Sequence, residues 1–270
     1  MKSLLCLFIA TFLSISPCNS QSASTLLGAR ANGIGYATST LFDTWGVFNN
    51  IAGTSKIKNI SVACTYDAHP SLTGANRTAA ALIIPIRTGA FSTGAFRFGD
   101  NIYNEHILTV GFSNQFGLAA LGAQANYIQY WAEGFGSKGV WSINMGGIAE
   151  LTKQISVGAY IQNINQPEIN EEEKLPTKLV AGFGFKPIEK VFIATEIEKD
   201  LEYDATWKTG IEYKFNKKFI ARTGYNINPS AAFFGLGFNS AHFAIDYALQ
   251  HSPSLSLSHQ ASVSFQLGSK

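Results

Sequence analysis

The sequence predicts an all-β protein: a transmembrane barrel of about fourteen antiparallel strands preceded by an N-terminal plug segment. Three observations carry this. From residue 57 onward the chain divides into extended segments of about ten residues, the length that crosses a bilayer as a tilted strand. The connections between them alternate between long and short. Of 270 residues, 46% are hydrophobic and 13% aromatic, and only 14% are charged, where roughly 25% is usual in soluble domains. Such a surface is not built for water.

The first element is "MKSLLCLFIATFLSISPCNS". Lys2 precedes an apolar run from Leu4 to Ile15, then small and polar residues follow. This is the pattern of a secretory signal peptide over residues 1–20, cleaved after Ser20 or slightly later. Pro17 before Cys18 fits a lipoprotein signal poorly. Loss of Cys6 and Cys18 leaves only Cys64, so no internal disulfide is expected. Beyond the signal no apolar run reaches roughly 18 residues, and no spanning helix is expected.

Residues 21–56 do not read as strands. Gly28, Gly33, Gly35, Gly46 and Gly53 permit tight backbone paths. Ile34, Leu41, Phe42, Trp45, Val47 and Ile51 are too many apolar residues for an exposed linker. A segment of this kind ahead of the first strand is expected to fold into a barrel lumen as a plug.

Residues 57–270 supply the strands, from 57–67 through 258–267. Trp207, Thr209, Ile211, Tyr213 and Phe215 alternate with Lys208, Gly210, Glu212 and Lys214. Phe243, Ile245, Tyr247 and Leu249 alternate with Ala244, Asp246, Ala248 and Gln250. In "TKLVAGFGFKP" the greasy set is Leu179, Ala181, Phe183 and Phe185, while Gly182 and Gly184 keep the other side lean. Large residues outward to lipid and polar or small ones inward to a lumen is the barrel pattern. It places Glu196, Glu198, Lys208, Glu212, Arg222 and Asp246 inside. A charge facing lipid at midplane costs about 2–4 kcal/mol, so inward placement is nearly forced. A ladder of cross-strand ion pairs is the expected use of these charges, and Arg30 of the plug is a candidate partner for Glu196 or Glu198.

Connections such as "YDAHPSLTGANR", "NQPEINEEEKLP" and "QHSPSLSLSH" alternate with "RTG", "TKQ", "PIEK" and "NKK". Barrels of the outer membrane of Gram-negative bacteria pair long extracellular loops with short periplasmic turns. An even strand count then puts both termini in the periplasm. The acidic loop "EINEEEK" is expected to be extracellular, solvated or bridged to lipopolysaccharide.

"GARANGIGYA" followed by "FDTWGVFNNIAG" resembles the N-terminal motif of FadL-like and PorV/PorQ-like outer-membrane barrels, the latter of Bacteroidota. Gly28, Arg30, Gly33, Gly35, Asp43, Trp45, Asn49, Asn50, Ala52 and Gly53 carry it, with Ile51 where the pattern has Pro or Gln. "LPTKLVAGFGFKP" and "IDYALQHSPSLSLSHQASVSFQL" resemble the PorV-like barrels of Bacteroidota. The PorV side implies an accessory or scaffold for type IX secretion or for docking surface proteins, and the compact chain favours it. The FadL side implies passive uptake of a hydrophobic small molecule, bound among Phe42, Trp45 and Phe48. A purely structural barrel is the third reading.

Other chemistries find little footing. "GFGSKG" matches a dinucleotide-binding pattern but runs into a strand rather than a helix, so no cofactor is expected. The five histidines have no carboxylate or cysteine at metal spacing, and no Gly-x-Ser-x-Gly nucleophile motif occurs. The chain is read as a non-enzyme. A net charge of +2 is no nucleic-acid footprint. Outer-membrane lipid or lipopolysaccharide, a secretion or surface protein, and a hydrophobic ligand remain as partners.

Overall fold

The structure, a computed structural model, describes residues 24–169, 174–200, 204–253 and 256–268. The expected signal peptide and residues 170–173 of the acidic loop lie outside the described residues. Fourteen strands follow one another: β1 (Ile60–Ala68), β2 (Arg77–Ile86), β3 (Gly89–Gly99), β4 (Tyr103–Phe116), β5 (Ala119–Ala132), β6 (Gly136–Glu150) and β7 (Ile155–Gln162). The second half comprises β8 (Lys178–Ile188), β9 (Val191–Asp200), β10 (Thr206–Lys214), β11 (Phe219–Ile227), β12 (Ala231–Asn239), β13 (Phe243–Ser252) and β14 (Ser256–Leu267). Each pairs antiparallel with the next, and β14 returns to β1 in a register running from Ile60↔Leu267 to Ala68↔His259. The closed barrel leaves no strand edge unpaired in lipid.

The faces fall as the alternation requires. Leu108, Phe234 and Leu236 are 60%, 58% and 66% exposed on the outside, whereas Glu196, Lys208, Glu212, Arg222 and Asp246 are buried within. Short turns are fixed by side chains that accept backbone N–H bonds. Asn216 Oδ1 accepts from Lys218 N at 2.8 Å and Phe219 N at 2.9 Å. Thr152 Oγ1 accepts from Gln154 N at 3.1 Å and Ile155 N at 3.0 Å.

β7 ends earlier than the expected segment 154–165. Asn163 turns left-handed at φ 55°; the Ile164 N–H still donates to Ile143 O at 3.0 Å, and the Asn165 side chain supplies the bonds beyond it. Its Oδ1 accepts from Ile143 N at 2.9 Å and its Nδ2 donates to Trp141 O at 2.8 Å. The loop that follows bends back toward the lumen, and Leu175 is buried at 3% against Phe48, Ile107 and Ile128.

The N-terminal segment contains a single helical turn, α1 (Ala29–Gly33), and two 3-10 turns, Thr44–Val47 and Ile51–Thr54. Its residues from Leu26 to Thr54 are almost all buried, against the inward face of the barrel. Glycines on that face let its backbone touch the wall. A Cβ on Gly158 would lie 2.0 Å from Ser39 O, and one on Gly210 2.3 Å from Ile34 O. On Gly182 it would lie 2.2 Å from Ser39 Oγ, and on Gly184 2.6 Å from Thr40 Oγ1. The lean side of β8 is lean because the segment lies on it.

The segment runs the length of the barrel. Leu267 pairs with Ile60 at the short-turn end, and Lys56 forms an ion pair there with Glu150. Ser24 sits at the long-loop end, where its carbonyl accepts from Arg77 Nη1 at 2.8 Å. The expected placement of both termini at one end therefore does not extend to the first described residues.

Candidate functional site: the barrel lumen

Two ion networks tie the segment to the wall. In one, Arg30 Nε and Nη2 donate to the Glu212 carboxylate at 2.9 Å and 3.2 Å, and Nη1 lies 3.4 Å from Asp43 Oδ2. Arg222 donates to Glu212 at 2.7 Å and to Asp246 at 2.6 Å. In the other, Glu196 accepts from Ser39 N at 2.8 Å and from Lys208 Nζ at 3.2 Å. Lys208 also reaches Glu198 at 2.5 Å, with Lys178 3.6 Å away on its other side. The expected cross-strand ladder is present: Lys208 faces Glu196 and Glu212 faces Arg222 across adjacent strands. The partner expected for Arg30 is corrected. It binds Glu212 and Asp43, because the Ser39 backbone and Lys208 already occupy Glu196.

The remaining motif residues shape the segment's path. Gly28, at φ 100°, leaves room for Trp45, whose ring a Cβ would meet at 2.6 Å. Gly33 packs on Gly235, and Gly35 takes φ 67° beside Asn226. Asp43 Oδ1 caps the first 3-10 turn by accepting from Trp45 N at 3.0 Å. Asn49 bonds both polar groups of Leu27, accepting from its N–H and donating to its carbonyl, each at 3.0 Å. Asn50 Nδ2 donates to Ser39 O at 2.7 Å and Gly147 O at 3.2 Å, and its Oδ1 caps Ala52 N at 3.2 Å. Ile51, which stands where the pattern has Pro or Gln, opens the second 3-10 turn. It is 2% exposed and fills the space above Gly111 and Gly122. Ala52 is fully buried, and Gly53 lies against Leu41 O.

Cavities flank the segment at both ends. The upper one, of about 70 Å³, has apolar walls from Phe48, Ile107, Ile128 and Leu175 and a carboxamide side from Gln124, Asn126, Asn144 and Gln162. Ser24, Thr25 and Leu26 close it. Toward the short-turn end lie a cavity of about 220 Å³, lined by Asp43, Trp45 and Asp246, and one of about 110 Å³, lined by Lys186 and Phe192. Both reach Arg30, Phe42, Glu212 and Lys214. The expected aromatic trio is thus divided: Phe48 lines the upper cavity, while Phe42 and Trp45 line lower space. On the outer wall an open apolar depression crosses Met145, Gly147, Ala159, Leu179 and Ala181.

One cluster at the long-loop end escaped the sequence reading. Arg77 Nε donates to Asp67 Oδ2 at 2.9 Å, and its Nη2 approaches the Tyr36 hydroxyl at 3.2 Å. Asp67 and Arg77 face each other across β1 and β2, and their opposite charges at the two ends of one long loop were the available signal. Beside them, burial holds the His69 imidazole below its usual pKa, with Asp67 opposing that effect and Arg77 adding to it.

Comparison with known proteins extends the description of the fold. No protein-family model and no curated protein matches the sequence. Among solved structures, the CymD monoaromatic hydrocarbon channel is similar at a TM-score of 0.73 and 14% identity, over 92% of this chain and 100% of that one. The Pseudomonas putida toluene transporter TodX gives 0.68 and 12%, over 92% and 100%. A Pseudomonas aeruginosa FadL homologue gives 0.66 and 11%, over 91% and 100%. The likeness shows the fold: a closed barrel with an N-terminal segment before its first strand, shared with these outer-membrane channels. It spans nearly the whole of each chain, so the compactness of this sequence does not set its fold apart from theirs.

Proposed function

We propose that the protein is a passive outer-membrane channel for small hydrophobic molecules, with the N-terminal segment as its plug. The observation that carries this reading is the upper cavity. It lies inside the lumen, has a wall of Phe48, Ile107, Ile128 and Leu175, and is closed by Ser24, Thr25 and Leu26 at the start of the segment. The neighbours named above are channels or transporters of such molecules, and this supports the choice over a docking scaffold. The PorV-like and type IX reading rests on sequence resemblance, with none of these neighbours behind it. The same orientation puts the long loops outside and the short turns in the periplasm.

At about 70 Å³ the cavity is smaller than the roughly 150 Å³ that holds a benzene ring. Loading therefore requires Ser24–Leu26 to withdraw. An axial exit would lead a hydrocarbon past Arg30, Glu212 and Asp246, which cannot surrender their partners cheaply. Exit sideways, toward the apolar depression on β6–β8, avoids that network. The test is accumulation of labelled toluene by a host whose outer membrane limits entry. Expression of this chain raises the rate, and Phe48→Glu at equal expression abolishes the gain. Equal accumulation with and without the chain overturns the reading.

A further inference from the structure

We infer that the short-turn rim of the barrel is a binding surface for anionic phospholipid headgroups, those of the periplasmic leaflet in the orientation given above. The rim is strongly basic. Arg87, Lys153, Lys190, Lys217 and Lys218 occupy its turns, and all five are exposed. Lys56, Lys58, Lys186 and Lys214 stand at the same end. Against them, among the described residues at this end, are Glu150, engaged by Lys56, and Glu189, together with the lumen-facing Asp43, Glu212 and Asp246, which Arg30 and Arg222 already hold. None of the five turn cations forms an ion pair among the described residues. The opposite end carries no such excess: its loops and the start of β6 set Asp100, Glu133, Glu168 and Asp204 against Lys138 and Lys174.

Depth identifies the partner. Arg87 directly follows Ile86, Lys153 comes two residues after Leu151, and Lys190 two after Ile188. Lys217 follows Phe215 by two residues, and Lys218 directly precedes Phe219. Those apolar residues are exposed on the lipid face at 43%, 54%, 58%, 58% and 53%. A strand rises about 3.3 Å per residue, so each cation stands one short step beyond the hydrocarbon edge, at headgroup depth. A long basic side chain there lays its stem on lipid and its charge among phosphates. The cations are also spread over four turns, after β2, β6, β8 and β10. A globular acidic protein would engage one sector of the rim, whereas a leaflet surrounds it.

The experiment uses the full exported chain, refolded and reconstituted in nanodiscs of phosphatidylethanolamine with a minor share of phosphatidylglycerol. Lipid retained after brief detergent extraction is quantified. One Lys near an anionic surface is worth about fivefold in partition, so several together, after salt screening, give at least about threefold enrichment of phosphatidylglycerol over the bulk ratio. The variant K153Q/K190Q/K217Q/K218Q returns to the bulk ratio, while K138Q/K174Q at the other end retains the enrichment. Both variants are first shown to be closed barrels by heat-modifiable gel mobility. A bulk ratio in the wild-type protein overturns the inference and points to a soluble acidic partner. Enrichment that survives the quadruple substitution overturns it as well. Neither result bears on toluene entry, so this inference and the channel reading fail independently.

Discussion

Arg30 grips both carboxylate oxygens of Glu212, at 2.9 Å and 3.2 Å, and Glu212 is itself only 2% exposed. A five-residue helical turn is thereby held to β10 by a bidentate, charge-assisted contact. Removing one member of a buried pair leaves the other without compensation, which costs more than the contact gains. Arg30→Ala is expected to lower stability by about 2–3 kcal/mol, with Arg222 still neutralising part of Glu212. Arg30→Lys keeps the charge, loses the fork and costs less. Hydrogen exchange over residues 28–36 separates the two outcomes. Unchanged protection in Arg30→Ala would show that Glu212 does not hold the segment.

The glycines of the wall should be sensitive in one direction only. A Cβ at Gly158 would lie 2.0 Å from Ser39 O, a backbone atom that cannot rotate away. Gly158→Ala is expected to lift Ser39 and Thr40 from the wall, raising exchange at residues 38–41 and small-solute leakage, with the outer strands still paired. Gly147→Ala points to lipid, where the nearest atom is Leu121 Cδ2 at 3.1 Å, a mobile methyl. That variant should leave leakage unchanged. Equal leakage in both would sink the idea that lumen glycines seat the segment.

These contacts explain what the sequence could and could not tell. Strand count, faces and inward charges were legible because lipid outside and a crowded lumen inside impose a period of two on every strand. Gly182 and Gly184 declared that something lay against β8, though not that it was Ser39 and Thr40. Arg30 was legible as a lumen cation but not as the partner of Glu212. Among inward carboxylates, the choice depends on where the segment's turns place it, and Gly28 and Asn49 set that path through contacts with Trp45 and Leu27. The early end of β7 was hidden for a similar reason. A side chain, Asn165, takes over the ladder after one last backbone bond from Ile164, and Leu175 then turns inward. Neither event alters the hydrophobic pattern before it.

Acidity should loosen the long-loop end. His69 is half-buried, with Nδ1 3.8 Å from Asp67 Oδ1 and Arg77 close by. Burial lowers its pKa, so the folded state prefers neutral imidazole. The unfolded chain binds a proton near pH 6.5, and between the two values it holds more protons than the folded one. Stability is thus complete above about pH 6.5 and declines as pH falls toward the folded pKa. With His69 partly solvated, the effect stays below about 1 kcal/mol. Protection at residues 24–27, measured against the intrinsic exchange rate at each pH, should fall from about pH 7.5 to pH 5, and His69→Gln should flatten that fall. A slope unaltered by the substitution would assign it to another group.

The sharpest test of the proposed channel runs through Asn49. Its side chain accepts from Leu27 N and donates to Leu27 O, imitating one rung of a sheet. Leu27 is fully buried, so its backbone has no water to turn to. Asn49→Ala removes two hydrogen bonds of about 1 kcal/mol each and leaves two buried backbone groups unsatisfied. The relief available is withdrawal of Ser24–Leu27 from the wall, the movement that enlarges the upper cavity. Asn49→Ala is therefore expected to speed toluene entry several-fold while lowering the unfolding midpoint, and Asn49→Asp to behave alike because it cannot donate to the carbonyl. Deleting residues 21–26 behind an intact signal should match the gain in rate without the full stability loss, since Leu27 and Asn49 remain paired. Faster entry in the deletion but not in Asn49→Ala would mean that the first residues obstruct the path without being held by this rung. Slower entry in both would mean that the segment's start forms the binding site rather than closing it.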